Sequence, residues 1–257
     1  MKLENTAAIV TGGASGLGAA TAAALAEQGA TVYAFDLASS IEKAQEDSAG
    51  SKGVVYVEVD VTDAEQVKAA VAQASSGIEP LRTVVNCAGI GLSGRILGKG
   101  GVLGDLDLYA KVVQVNLIGS YHVMAVAAEA IAKTEGDEQG QRGVIINTAS
   151  VAAFDGQVGQ AAYSSSKGGI VGLTLPAARD LAQYGIRVMT IAPGIIMTPM
   201  LMTVSEEFRA GLAAGVPFPQ RLGEPAEYAK LALSIIDNDY LNGEVIRLDG
   251  SLRMAPR

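Results

Sequence analysis

The stretch Thr11-Gly-Gly-Ala-Ser-Gly-Leu-Gly18 decides the fold. It follows the β-branched run Ala7–Thr11 and opens an alanine-rich run with helical spacing, so four glycines stand where a strand hands over to a helix. Glycine permits a tight turn there and lets the backbone approach a pyrophosphate at the helix N-terminus, with Gly12, Ser15, Gly16, Leu17 and Gly18 as contact positions. A glycine turn alone is weak. Asp36, 20 positions beyond Gly16 at the end of the next β-branched run, points the turn to a dinucleotide, against a tight structural turn with a solvated strand-end acid. Its carboxylate accepts bonds from the adenosine ribose hydroxyls and repels a 2′-phosphate, while Ala14, Ser15 and Leu37 supply no cation to hold one. NAD is therefore expected in preference to NADP.

Outward from this turn, short β-branched runs alternate with long alanine-rich ones. Strands are predicted at Ala7–Thr11, Thr31–Asp36, Val54–Asp60, Leu81–Asn86, Val144–Thr148, Ile186–Ile191 and Glu244–Leu248. Helices are predicted over roughly 16–28, 39–49, 63–76, 106–133, 161–184 and 225–237, from caps such as Ser39 and Thr62. Such alternation implies an α/β fold: a doubly wound, Rossmann-type, parallel seven-stranded sheet with helices on both faces. Neither a Pro- or Ser-rich linker nor an internal repeat divides the chain, so residues 1–257 read as one domain. Two loops exceed ordinary connections. One is Gly89–Gly104 with Arg95 and Lys99; the other is Pro193–Ser205 with Met197, Met200 and Met202.

Composition narrows the chemistry. With 49% apolar and 18% charged residues the chain can offset the entropy of ordering its backbone, which excludes a disordered protein. A formal charge of −8 has the wrong sign for nucleic acid. One histidine, His122, and one cysteine, Cys87, exclude disulfides, Cys/His zinc clusters and Cys-x-x-Cys pairs, and no metal is expected. Asn5 to Ala26 and Val188 to Ser205 are uncharged, yet glycines, hydroxyls and prolines interrupt them. A soluble protein of a reducing cytoplasm, with no membrane partner, is the expectation.

Tyr163-Ser-Ser-Ser-Lys167 lies near the start of a predicted helix, which puts a phenol and an ammonium on one face. The spacing alone is common. A phenol titrates near 10, and service as a base near neutrality needs roughly 4 kcal/mol of selective phenolate stabilisation. A lysine cation, a helix N-terminus and a cationic nicotinamide all have the right sign. Ser150, thirteen residues upstream after a strand, offers a hydroxyl for a substrate carbonyl oxygen, and Asn116 sits in an uncharged helical stretch where a buried amide needs partners. His122 receives no role, Cys87 reads as a packing group, and Pro176 is expected to kink its helix.

Together these residues resemble the short-chain dehydrogenase/reductase family along the whole chain. The family's glycine fingerprint falls on Thr11–Gly18, its adenine-contact pair on Asp60 and Val61, and its Asn-x-Ala-Gly on Asn86, Cys87, Ala88 and Gly89. Cys87 departs from a frequent second asparagine. The family tetrad falls on Asn116, Ser150, Tyr163 and Lys167, and the nicotinamide-side motif on Pro193, Gly194 and Thr198. The resemblance implies that Tyr163 exchanges a proton with the substrate oxygen and that Ser150 orients this oxygen. It implies that Lys167 lowers the tyrosine pKa and bonds the nicotinamide ribose, as Tyr163 does on the cofactor side, and that Asn116 holds a water leading from Lys167 to solvent. It also implies a homotetramer that pairs the helices around 106–133 and 161–184.

Arg142–Tyr163, Thr174–Ala182 and Leu241–Gly250 resemble one branch of the family, whose members oxidise 3-hydroxyacyl-CoA thioesters, 2-methyl-3-hydroxybutyryl-CoA included, with NAD. Fatty-acid and branched-chain amino-acid degradation are the corresponding settings. Arg95 or Lys99 is a candidate for the CoA phosphates against solvated loop charges; Gln157, Gln160, Met197 and Met200 are candidate substrate contacts. Ile195, Ile196, Met197, Met200, Leu201 and Met202, followed by Phe208, read either as an apolar lid or as packing. Two rivals stay open: a family member acting on a steroid, sugar alcohol or acyl-carrier-protein thioester, and a non-enzymatic NAD-binding regulatory protein.

Overall fold

Strands form wherever β-branched residues cluster between glycine-containing turns. In chain order they are β1 (Ala7–Thr11), β2 (Thr31–Asp36), β3 (Val54–Glu58), β4 (Leu81–Asn86), β5 (Gly143–Thr148), β6 (Ile186–Pro193) and β7 (Val245–Leu248). They build one parallel sheet in the order β3-β2-β1-β4-β5-β6-β7. The computed structural model describes residues 1–47, 53–202 and 205–256. β1 lies at the switch point, with Ile9 opposite Tyr33 of β2 on one side and Val84 of β4 on the other. A crevice therefore opens beyond the carboxyl ends of β1 and β4, where this topology places ligands.

Both sheet faces are covered, so successive β1 residues serve different cores. Ala7 and Ile9 face α3 (Ala64–Ser75), α5 (Ser120–Ala132) and α6 (Ala161–Ala182). Ala8 and Val10 face α1 (Gly16–Glu27) and α9 (Pro225–Asp237). Ile9, Leu25, Phe35, Ile131, Ile145 and Ile191 are fully buried. Each such side chain stabilises the fold by about 1.5–3 kcal/mol relative to exposure.

The expected helix over 106–133 is three pieces: α4 (Leu106–Val113), a wider π-helical segment Gln114–Gly119, and α5. α4 packs on α6, whereas α5 packs on α3. Leu106–Ala132 is long and apolar enough to cross a membrane, but Val112, Val123, Ala127 and Ile131 are buried in this core.

Several local expectations are corrected. The cap of α3 is Asp63, whose carboxylate accepts from Glu65 and Gln66 N–H, because the Thr62 hydroxyl is already donated to Asp60 at 2.7 Å. α2 (Ala38–Asp47) begins before Ser39, and residues 48 and 49 of its expected extent lie outside the described residues. α6 continues through Pro176 as one helix. Two helices were not anticipated, the short α7 (Pro199–Met202) and α8 (Glu206–Ala214), the latter capped by Ser205.

Candidate active site

The glycine turn, Asp36, Asn86 to Gly89, Ser150 and Pro193 all lie at or just beyond the carboxyl ends of β1, β2, β4, β5 and β6. In the turn, Gly16 has φ +52°, and a Cβ on Gly18 would stand 2.1 Å from the Gly12 carbonyl oxygen. Only glycine lets the first turn of α1 sit this close to the end of β1. Ser15, the cap of α1, makes no side-chain bond, and the first turn carries no acid. The helix start thus presents its partial positive charge without a carboxylate of its own to answer it.

Asp36 joins this turn. One carboxylate oxygen accepts from Ala14 N–H at 3.0 Å and the other from Leu37 N–H at 2.9 Å. Each oxygen keeps a lone pair for a further donor, so the acid stands where a ribose beside the glycine turn can reach it. Asp60 is fixed by the Thr62 N–H and hydroxyl, and the Val61 carbonyl faces Nδ1 of His122 at 3.2 Å. His122 therefore anchors the Asp60–Val61 segment. From β1, Thr11 Oγ1 accepts Ala88 N–H at 3.1 Å and tethers the Asn86–Gly89 segment.

Ser150 follows β5 and caps a short turn, where its Oγ accepts Ala152 N–H at 3.1 Å. Tyr163 enters from the first turn of α6 and Lys167 from the next. Lys167 Nζ lies 5.9 Å from the tyrosine ring centroid and donates to the Thr148 carbonyl at 2.8 Å. Asn116 approaches from the π-helical segment. Its Oδ1 accepts Ile90 N–H at 2.8 Å, while Nδ2 donates to the Ile90 carbonyl and the Ser166 hydroxyl, both at 3.0 Å. A Cβ on Gly89 would come within 3.1 Å of Asn116 Oδ1 and 3.5 Å of Lys167 Nζ. Asn116 and Lys167 meet around this glycine.

Burial dominates the electrostatics of the pair. Burial pushes the Tyr163 phenol up, opposed by the Ser150 hydroxyl, and burial also holds the Lys167 ammonium down to about 8 despite an opposing effect of Cys87. Desolvation is thus the largest influence on both groups of the pair.

Other candidates divide. Pro193 ends β6, Gly194 N–H donates to Leu248 O at 2.9 Å, and the Thr198 side chain lies 3.7 Å from where a Gly16 Cβ would stand, which brings this motif over the glycine turn. Gln157 and Gln160 line a cavity of about 460 Å³ with Arg95, Ile96 and Leu97, but Ser150 and Tyr163 do not line it. Gln157 Nε2 is spent on the Ala255 carbonyl at 2.8 Å. Arg95 reaches this cavity; Lys99 is exposed at the tip of a hairpin closed by Leu97 and Leu103. Ile196 is buried and paired with Gly223, so it belongs to the core and not to a lid. Met197 is held by its N–H to Gly223 O, Met202 and Phe208 are exposed, and the Met200 side chain lies outside the described residues, as do residues 203 and 204.

Sequence reasoning passed over Thr11 as a tether, Ser166, His122 and Tyr228. Tyr228 is fully buried on α9, and its hydroxyl lies 2.7 Å from Thr148 Oγ1, beneath the carbonyl that holds Lys167. The Ser preceding Lys167 was a legible signal; the other three had none.

Comparison with known proteins agrees with this geometry. The "short chain dehydrogenase" family model matches residues 6–208. The bovine protein named 3-hydroxyacyl-CoA dehydrogenase type-2 is 52% identical over 255 residues, covering 99% of this chain and 97% of that protein. The Drosophila melanogaster protein of the same name is 50% identical over 99% of this chain and its own full length. A crystal structure of 3-hydroxyacyl-CoA dehydrogenase type-2 from Mycobacterium avium superposes with a TM-score of 0.93 at 43% identity, covering 98% of both chains. On the extent of these matches and on the sheet they share, the chain belongs to the short-chain dehydrogenase family and is an oxidoreductase that works with a nucleotide cofactor.

Proposed function

We propose that this chain is an NAD-dependent dehydrogenase that interconverts (S)-3-hydroxyacyl-CoA and 3-oxoacyl-CoA, 2-methyl-3-hydroxybutyryl-CoA included. The observation that carries the chemistry is the Tyr163–Lys167 pair on successive turns of α6, with Nζ 5.9 Å from the phenol ring and Ser150 just beyond β5. The substrate class rests on the name shared by relatives that match over nearly the whole chain.

The residues present fit NAD. The cradle at Gly12, Gly16 and Gly18 has no room for a Cβ at Gly18, and Asp36 offers lone pairs beside it without a neighbouring cation for a 2′-phosphate. Asp60, Val61, Asn86, Ala88 and Gly89 would hold the adenosine side, and Pro193, Gly194 and Thr198 the nicotinamide side. When bound, NAD accepts the hydride and adds positive charge near the phenol. Tyr163 Oη takes the hydroxyl proton of the substrate in oxidation and returns it in reduction. Ser150 Oγ, fixed by Ala152 N–H, orients the substrate oxygen. Lys167 is held by the Thr148 carbonyl at 2.8 Å; it would bond the nicotinamide ribose, and its cation has the sign that favours the phenolate. Asn116 fixes the Ile90 backbone from the π-helical segment and would hold the water that leads from Lys167 to solvent.

Tyr109, Ile118 and Tyr121 on the 106–132 run and Leu175 on α6 are exposed apolar side chains, which supports pairing of these helices in a homotetramer. Sedimentation showing only monomer at micromolar concentration overturns that part. A cytoplasmic location suits the single free thiol of Cys87.

The test is NADH formation from a panel of 3-hydroxyacyl-CoA thioesters, steroids and sugar alcohols, with NAD and NADP in parallel. Efficient turnover of 3-hydroxybutyryl-CoA with NAD, abolished in Tyr163→Phe, is expected. Much higher catalytic efficiency on a non-thioester overturns the substrate; tight NADH binding without turnover of any alcohol overturns the enzyme.

A further inference from the structure

Both amide protons of Asn116 are taken by protein groups, and its Oδ1 accepts one backbone N–H. Its Oδ1 and one Nδ2 proton are fixed by the Ile90 backbone, and the second proton goes to Ser166 Oγ at 3.0 Å. Ser166 is itself fully buried and donates its own hydrogen to the Tyr163 carbonyl at 2.8 Å. A single hydroxyl thus joins the π-helical segment to the turn of α6 that carries the phenol and the ammonium. Nothing else among the described contacts links the Asn116 side chain to α6.

We propose that Ser166 is a positioning residue of the reaction: it sets the Asn116 side chain and, through it, the distance between the Ile90 loop and the Tyr163–Lys167 turn. The inference rests on the tetrad reading above. Without the hydroxyl, a buried Asn116 N–H is left unpaired, a condition costly enough to make the amide turn away. Its partner Ile90 is next to Gly89, the residue around which Asn116 and Lys167 converge. A shift of the amide is therefore felt at the reacting groups and not at the Asp36 end of the cofactor groove. Ala in place of Ser keeps the helix, and the volume change is small.

The experiment compares wild type, Ser166→Ala, Asn116→Ala and the double variant in kcat, KM for NAD, KM for the alcohol substrate, and unfolding midpoint. In Ser166→Ala, kcat is expected to fall about tenfold, the loss of about 1.4 kcal/mol of transition-state stabilisation, while KM for NAD stays within about twofold. The double variant is expected to be no slower than Asn116→Ala, because residues acting as one unit are not additive. Full kcat in Ser166→Ala beside an impaired Asn116→Ala overturns the inference alone. Full kcat in both overturns the tetrad reading and the inference with it. Losses that multiply in the double variant, or a lowered unfolding midpoint with kcat unchanged, reduce Ser166 to a structural hydroxyl and also overturn it. Should Ser166→Ala fail to fold, Ser166→Cys, similar in size but a poor acceptor, is read against the same outcomes.

Discussion

Replacing Lys167 by Met should make the protein more stable while it stops working. The buried ammonium falls from 10.5 to about 8, a cost of ~3 kcal/mol at ~1.4 kcal/mol per pH unit. Met removes that charge and fills the space of the stem, but it leaves the Thr148 carbonyl, 2.8 Å from Nζ, without its donor. That loss is worth ~1 kcal/mol. The net expectation is ~2 kcal/mol of added stability at pH 7 in the absence of nucleotide, a rise in Tm on the order of 4–8 °C for a chain of this size. The dependence on pH has a definite sign. Because the native lysine binds its proton less tightly than the unfolded one, the penalty in the wild type is complete below pH 8 and is relieved as pH rises toward 10.5. The gap between variant and wild type should therefore shrink across that window. Urea unfolding of both proteins at pH 7 and pH 10 measures it. A variant less stable at pH 7, or a gap that does not change with pH, refutes the account of Lys167 as a charge held in place at the expense of the fold.

Three further outcomes are expected. Gly18→Ala places a Cβ 2.1 Å from the Gly12 carbonyl; overpacking of this kind costs about 1–3 kcal/mol in unfolding free energy, and NADH affinity by fluorescence titration should drop in parallel. An Ala variant that binds NADH normally removes the close-approach argument. Asp36→Ser withdraws the carboxylate from Ala14 N–H and should lower the ratio of NAD to NADP efficiency by about tenfold or more; an unchanged ratio in parallel kinetics contradicts the assignment of Asp36. Arg95→Ala with Lys99→Ala should raise the KM for an acyl-CoA severalfold with kcat retained, given that Arg95 lines the cavity beside Gln157. An unchanged KM returns both cations to solvent.

Features written contiguously were legible. The glycine turn, the alternation of strands and helices, and the Tyr163–Lys167 spacing each depend on neighbours within a few positions, and each appears where the sequence predicts it. Ties between distant positions were not. Asn116 with Ser166 and His122 with Val61 are separated by 50 and 61 positions, and no local period encodes them. The cap of α3 was misplaced because Thr62 and Asp63 are both good caps, and only the bond from Thr62 to Asp60 settles which is free. α8 escaped although Ser205 followed by Glu206 and Glu207 marks its start; it is nine residues long and none of them is buried. Burial around the phenol was not legible either: sequence shows that a cation stands near the phenol but not how dry the place is.

The six residues of the π-helical segment do more than hold Asn116. An extra residue in one turn rotates everything after it by about 100°, so a stripe that begins against α6 resumes against α3. One continuous run of apolar sequence thereby grips two different neighbours. Removing a single residue from Gln114–Gly119 would restore an ordinary helical pitch and swing Val123, Ala127 and Ile131 out of register with α3. Length in that short segment is consequently under tighter constraint than composition, and a deletion there should be harsher than any conservative exchange.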